Sequence, residues 1–270
     1  MAFPTILYGP ESEAYNGDGA TAGIGFGVRS PAPGDNGSGG PIAYIHVLPL
    51  GKQLVLEDGR KYRFASAGGS TLVIGNVVCG PVNTTSQQNL TAAAGAVNDK
   101  IATMTTGAAS AINTFAEGFL ITSVTPGAGQ CYKIASHALM TSGAGDIVNF
   151  APGVALRVAT TTSTKYDLIL NPYKGAVQAP ATTLASPPVG VAIVAATTLR
   201  GCWIQTRGIA AVLGSGTNIA GTRAVTGVGA GAASPETATA ATSKLEVTIG
   251  ITHFAAATTA WSTIFLTLDG

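Results

Sequence analysis

From residue 42 onward, short apolar runs recur about every 10–15 residues, separated by Gly, Pro, Asn or Ser. This punctuation constrains the fold more than any other feature of the chain. Runs so short cannot complete an amphipathic helix, but they suit the strands of a sandwich or barrel. The clearest case is LVLEDGRKYRF at 54–64. Its Asp58-Gly59 predicts a two-residue type I′ hairpin turn, because both residues tolerate positive φ. Leu54, Leu56, Tyr62 and Phe64 then share one face by period-2 alternation, and Arg60 falls on that alternation at the turn. Further strands are predicted at 118–124, 131–137, 146–150, 154–160, 165–170, 189–195, 201–207, 209–213, 222–227, 244–254 and 261–268. Helical periodicity is weak. The window TAAAGAVNDKIATM (91–104) has Ala-rich helix propensity, but Gly95 and the following Thr residues undercut it.

Residues 1–41 break this pattern. Ten glycines and several prolines make the stretch a poor nucleus for a core, yet Phe3, Ile6, Leu7, Tyr8, Ile24, Phe26 and Val28 are too many apolar residues for an idle leader. An extended arm that orders against a partner reconciles the two facts; a disordered leader is the alternative. A second proline-dense stretch, NPYKGAVQAPATTLASPP (171–188), reads as a linker, and 226–243 reads as a long exposed loop. The expected architecture is all-β: two β-sandwich or barrel-like domains with an extended N-terminal arm. The arm takes residues 1–41, a β-rich domain 42–178 and a C-terminal barrel or sandwich 179–270. Pairing of residues 42–80 with the C-terminal strands, which would make the middle region an insertion, stays open.

Composition narrows the function. The chain has 270 residues, with 14 basic and 13 acidic side chains, so charged residues are only 10 %; an average soluble domain has roughly 25 %. A net charge of +1 provides no field to recruit nucleic acid or an anionic membrane. No stretch approaches the roughly 18 apolar residues of a spanning helix, and the opening residues lack a secretory signal, so synthesis in a cytoplasm is expected. Cys79, Cys131 and Cys202 are odd in number and widely spaced, which predicts buried free thiols rather than a disulfide framework.

The search for chemistry is negative. His46, His137 and His253 show no ligand spacing, so no metal or cofactor is expected. No Gly-x-Ser-x-Gly elbow presents a nucleophile, and the glycine strings at 23–27 and 227–231 lack the strand and helix that would seat a phosphate. The acidic residues are scattered, which leaves a glycan hydrolase without its carboxylate pair. Arg60, Lys61 and Arg63 form the one basic cluster, read either as a charged strand edge or as a docking contact to an acidic partner. Trp203 and Trp261 each fall on a predicted strand and are read as core, with an interface anchor as the alternative.

The segment QLVLEDGRKYRFASAGGSTLVIGN (53–76) resembles the opening hairpin of bacteriophage head decoration (cement) proteins. Similar stretches are GFLITS with GAGQCYKIASH (118–137), NPYKG (171–175), VGV (189–191), GCWIQTRGIAAV (201–212) and IFLTLDG (264–270). The resemblance covers most of the chain after residue 45 and none of residues 1–40. It implies a non-enzymatic virion protein on the exterior of an icosahedral capsid, assembled in the host cytoplasm. Its implied partners are the major capsid protein and further copies of itself, with a trimer favoured. Phe3, Tyr8, Phe26, Arg29, Arg60, Lys61 and Arg63 are the expected capsid or oligomer contacts. A phage tail, fibre or host-attachment component is the alternative.

Overall fold

The computed structural model describes residues 6–8, 48–182, 184–227, 229–236, 247–254, 256–257 and 260–269; of Ile6–Tyr8 only the backbone is described. Within these residues the chain is all-β, as its punctuation predicts, and its helical content is a single 3₁₀ turn at Thr85–Gln87. The first strands are β1 (Ile6–Tyr8), β2 (Gln53–Val55), β3 (Lys61–Ser66) and β4 (Val77–Cys79). Then follow β5 (Leu90–Ala92), β6 (Ile101–Thr105), β7 (Phe119–Val124), β8 (Cys131–His137), β9 (Gly145–Phe150) and β10 (Lys165–Ile169). The last are β11 (Val177–Gln178), β12 (Pro188–Ala192), β13 (Gly201–Leu213), β14 (Arg223–Thr226), β15 (Ala233–Pro235), β16 (Thr248–Phe254) and β17 (Trp261–Thr267).

The chain divides into two compact units, one of residues 1–81 with 173–270 and one of residues 82–172. It crosses between them twice, at Pro81/Val82 and Pro172/Tyr173. The division expected from the sequence, 42–178 and 179–270, has one boundary where the chain has two. Residues 42–80 do pair with the C-terminal strands: β3 lies antiparallel to β13, with Phe64 opposite Trp203. The second unit is therefore an insertion.

The first unit is a curled sheet ordered β1-β2-β3-β13-β17-β16-β14-β15, with β12, β4 and β11 branching from β13. Strand β13 spans two predicted strands, 201–207 and 209–213, that run on as one through Gly208. A side chain there would meet two obstacles. Gly208 has φ +87°, and a Cβ would stand 2.8 Å from Cγ of Arg60. The first half of β13 pairs with β3 and the second with β17, so this strand organises the whole unit. Alternation then separates the faces: Ala210, Val212, Ile249, Ile264 and Leu266 enter one buried cluster, while their neighbours point outward. Around the hairpin, Leu54, Leu56, Tyr62 and Phe64 pack with Trp203, and the Phe64 and Trp203 rings meet edge-on at 5.4 Å between centroids.

The hairpin face is as predicted, but its turn is not type I′. Val55 lies opposite Lys61, and Gly59 N–H donates to Leu56 O at 3.0 Å. Gly59 alone takes positive φ, +84°. The connection is therefore a type I turn closed by a left-handed glycine, the pattern of a three-residue loop.

The second unit is a closed six-stranded antiparallel barrel in the order β10-β5-β6-β9-β8-β7, with β7 returning to β10. Closure removes sheet edges, which spares the unit the charged gatekeepers that open edges require. Its interior is filled by alternate residues of every strand, among them Met104, Leu120, Tyr132, Ile134, Phe150 and Tyr166. Tyr132 stacks on Phe150 at 5.1 Å.

Three sequence expectations change. VALRVAT (154–160) is not a strand: Gly153 turns the chain at φ +82°, Leu156 exchanges backbone hydrogen bonds with Asn98 and Asp99, and its side chain is buried in the barrel core. The window 91–104, whose helix propensity Gly95 undercuts, carries the end of β5 and most of β6. The stretch 171–188 is packed, not free, since β11 pairs with β4 and Ala176 is fully buried. Within 226–243, Ala233–Pro235 forms β15 against β14; residues 228 and 237–243 lie outside the described residues.

Candidate functional site

The expected contact residues fall into three groups. Phe3, Phe26 and Arg29 lie outside the described residues. Tyr8 is in β1, whose backbone runs parallel to β2 with Tyr8 opposite Val55. Arg60, Lys61 and Arg63 are on the hairpin, and each is engaged within the chain. Arg60 Nε donates to Asp58 at 2.6 Å. The Arg60 backbone N–H also donates to that carboxylate, and this bond is the main reason the Asp58 carboxyl sits below its ordinary value.

Arg63 forms a fork on Asp269, Nε to Oδ2 at 2.8 Å and Nη2 to Oδ1 at 2.9 Å, while Nη1 donates to Gly51 O at 3.0 Å. Gln53 Nε2 adds a bond to Asp269 Oδ2 at 3.1 Å. Burial pushes the Asp269 carboxyl up, but the hydrogen bond and charge of Arg63, with Lys61 and Gln53, outweigh it and hold it below the ordinary value. The same hydrogen bond raises Arg63. This cluster ties the end of the chain to the first hairpin; it is a fastening between β2, β3 and the residues after β17.

A different surface stands out for what it leaves uncovered. On the outer face of the curled sheet, Ile209 of β13 lies opposite Phe265 of β17, Phe265 opposite Ile251 of β16, and Ile251 opposite Arg223 of β14. Trp261 and Phe254 extend this row along β17 and β16. Exposure runs from 40 % for Phe265 to 71 % for Phe254, with Trp261 at 53 %. The Trp261 ring lies over Gly75, where a Cβ would fall 1.7 Å from a ring carbon. Five large apolar side chains on one regular face form the kind of patch that marks an interaction site.

Charge sits at both ends of the row. Beyond Ile251, Arg223 Nη1 pairs with Glu236 Oε1 at 2.8 Å. Beyond Ile209 lies a groove of about 510 Å³ whose walls include Asp58, Arg60, Arg207, Ile209 and Phe265.

Of the two tryptophans, Trp203 is buried at 2 % exposure, as expected, and Trp261 is not. The signal for Trp261 was present in the sequence. In WSTIFLTL, Trp261 and Phe265 occupy one face and Ile264 and Leu266 the other, and a strand apolar on both faces expects cover on both. Ile209 carries no such signal, because its membership of the row depends on register with a strand distant in sequence, and on β16 a bulge between Thr252 and Phe254 breaks the alternation that would link Phe254 to Ile251.

His137 and two of the three cysteines lie in the interior. His137 is buried; its Nε2 accepts the Phe115 N–H at 2.9 Å, so Nδ1 carries the proton and donates to Ala138 O at 2.6 Å. Cys79 and Cys202 are buried thiols outside any disulfide, as expected, and burial pushes Cys202 up to about 12. Cys131 is exposed instead, on the outward alternation of β8. Among the described residues no group of three or more His, Cys, Asp and Glu side chains could hold a metal ion, and no helix is long and apolar enough to cross a membrane. No protein-family model, no curated protein and no solved structure matches this chain.

Proposed function

We propose that the chain is a capsid decoration protein, a non-enzymatic component that binds the exterior of an icosahedral phage shell and stabilises it. The observation that carries this reading is the uncovered row of Ile209, Ile251, Phe254, Trp261 and Phe265 on a regular sheet face. Such a surface suits a protein whose working state is an assembly. The scarcity of charge fits the same state, since a lattice component is surrounded by neighbours and relies less on surface charge for solubility. The resemblance of segments 53–76 and 201–212 to head decoration proteins points the same way. In this reading Ile6–Tyr8 stay paired to β2, and the rest of residues 1–41, with Phe3, Phe26 and Arg29, reaches the major capsid protein and adds contact area. Repeated placement on a lattice then raises effective affinity without strong single contacts.

The test is uptake by shells that lack the chain. Purified protein is expected to bind them saturably and to raise the temperature at which they break open, and removal of residues 1–41 is expected to abolish binding. Shells that take up none of the intact chain would refute the function.

A further inference from the structure

We propose that the outer face of β13, β17, β16 and β14 is a homotypic interface, on which a second copy of this chain seats its own identical face about a twofold axis. The inference deepens the reading of this surface as an assembly face by naming its occupant, and so rests on that reading.

Two observations choose a second copy. The first is area. Ile209, Ile251, Phe254, Trp261 and Phe265 together leave on the order of 500 Å² of apolar side-chain surface uncovered, the upper range of what a monomer shows. A stable interface takes about 800 Å² from each partner. The row supplies its apolar centre, and the flanking Thr248, Thr263, Thr267 and Ala211 supply an uncharged rim.

The second observation is charge placement. The row is apolar in the middle and charged at both ends. Arg207 stands on the β13 side, its side chain in no ion pair among the described residues and the Arg60–Asp58 pair beside it. The exposed Arg223–Glu236 pair stands on the β14 side. A twofold axis lying in the plane of the face, along the strands and between β17 and β16, lays the β13 side of one copy over the β14 side of the other. Ile209 of one copy then faces Arg223 of the other, the Arg223–Glu236 pair comes within reach of Arg207, and the contact occurs twice. An isologous interface needs such a self-complementary patch. The two faces pack as the inner layers of a sandwich do, with the aromatic and aliphatic row as their shared core. A twofold pair differs from the trimer that the resemblance implies.

The experiment is sedimentation equilibrium of the purified full-length chain at micromolar concentrations, with three variants. The intact chain is expected to sediment at twice its chain mass. Phe265→Asp is expected to sediment at the chain mass while keeping the circular dichroism melt of the intact protein at matched monomer population. Arg207→Glu is expected to weaken association about tenfold, and Arg207→Glu combined with Glu236→Arg to recover most of that loss. A monomeric intact chain overturns the proposal, as does a trimer, or a dimer that Phe265→Asp leaves intact. A chain that dimerises only after removal of residues 1–41 assigns the face to its own arm and also overturns it. Shell uptake is scored separately, so dimers that bind no shell refute the function alone, and monomers that bind shells refute this inference alone.

Discussion

At the scale of single residues, the fastening between Arg63 and Asp269 matters most for stability. A charge-assisted fork on a partly shielded carboxylate contributes about 1–2 kcal/mol after allowance for solvent screening, so Asp269→Asn is expected to lower the free energy of unfolding by that amount in a denaturant titration. The pH dependence follows from the sign of the shift. The folded Asp269 carboxyl titrates below the ordinary carboxylate value. Its contribution is therefore fully present above that value and is lost as pH falls through the lower folded value. The difference between intact protein and Asp269→Asn should accordingly be flat from neutral pH to about pH 5 and shrink below pH 4. The three thiols separate just as cleanly. Cys131 is exposed whereas Cys79 and Cys202 are buried, so a thiol reagent should label one cysteine rapidly in the native protein and the other two only on unfolding.

At the scale of elements, alternation was readable and long-range use was not. Strands β7, β8 and β10 lie where period-2 runs predict them, because each buries one alternating face in the barrel core. The hairpin core of Leu54, Leu56, Tyr62 and Phe64 was equally legible, while its turn type depended on one residue of register. VALRVAT misled because Val154, Leu156 and Val158 alternate like a strand, yet Leu156 enters the barrel core from irregular backbone. Apolar periodicity reports which side chains are wanted inside and does not report what the backbone pairs with. Leu156→Ala is therefore expected to cost about 2–4 kcal/mol of barrel stability, and Val158→Ala, at a position 36 % exposed, well under half of that in the same chemical melt. The short β4, β5, β11 and β15 were invisible for a related reason: two to four residues are too few to show any period.

At the scale of the whole molecule, the insertion of one closed barrel into a curled sheet explains why a single linear division could not describe the chain. The first unit closes only when residues on both sides of the insertion meet, as β3 and β13 do. The inserted unit has its own core and both its ends at prolines, so residues 82–172 expressed alone are expected to melt cooperatively. The sparse charge of the chain, only 10 % of its residues, acquires a physical reading at this scale. It accompanies a sheet face that a lone molecule would leave wet. The residues of the uncovered row were only half legible: Trp261 and Phe265 announce a strand apolar on both faces, whereas Ile209 joins them only through the pairing of β13 with β17, strands distant in sequence. The central claim, that this is a component of an assembled shell, is tested most directly by electron images of the source particle with and without the chain. Repeated density over the shell exterior that vanishes when the chain is absent is the expected result; density confined to the tail or its fibres would contradict it.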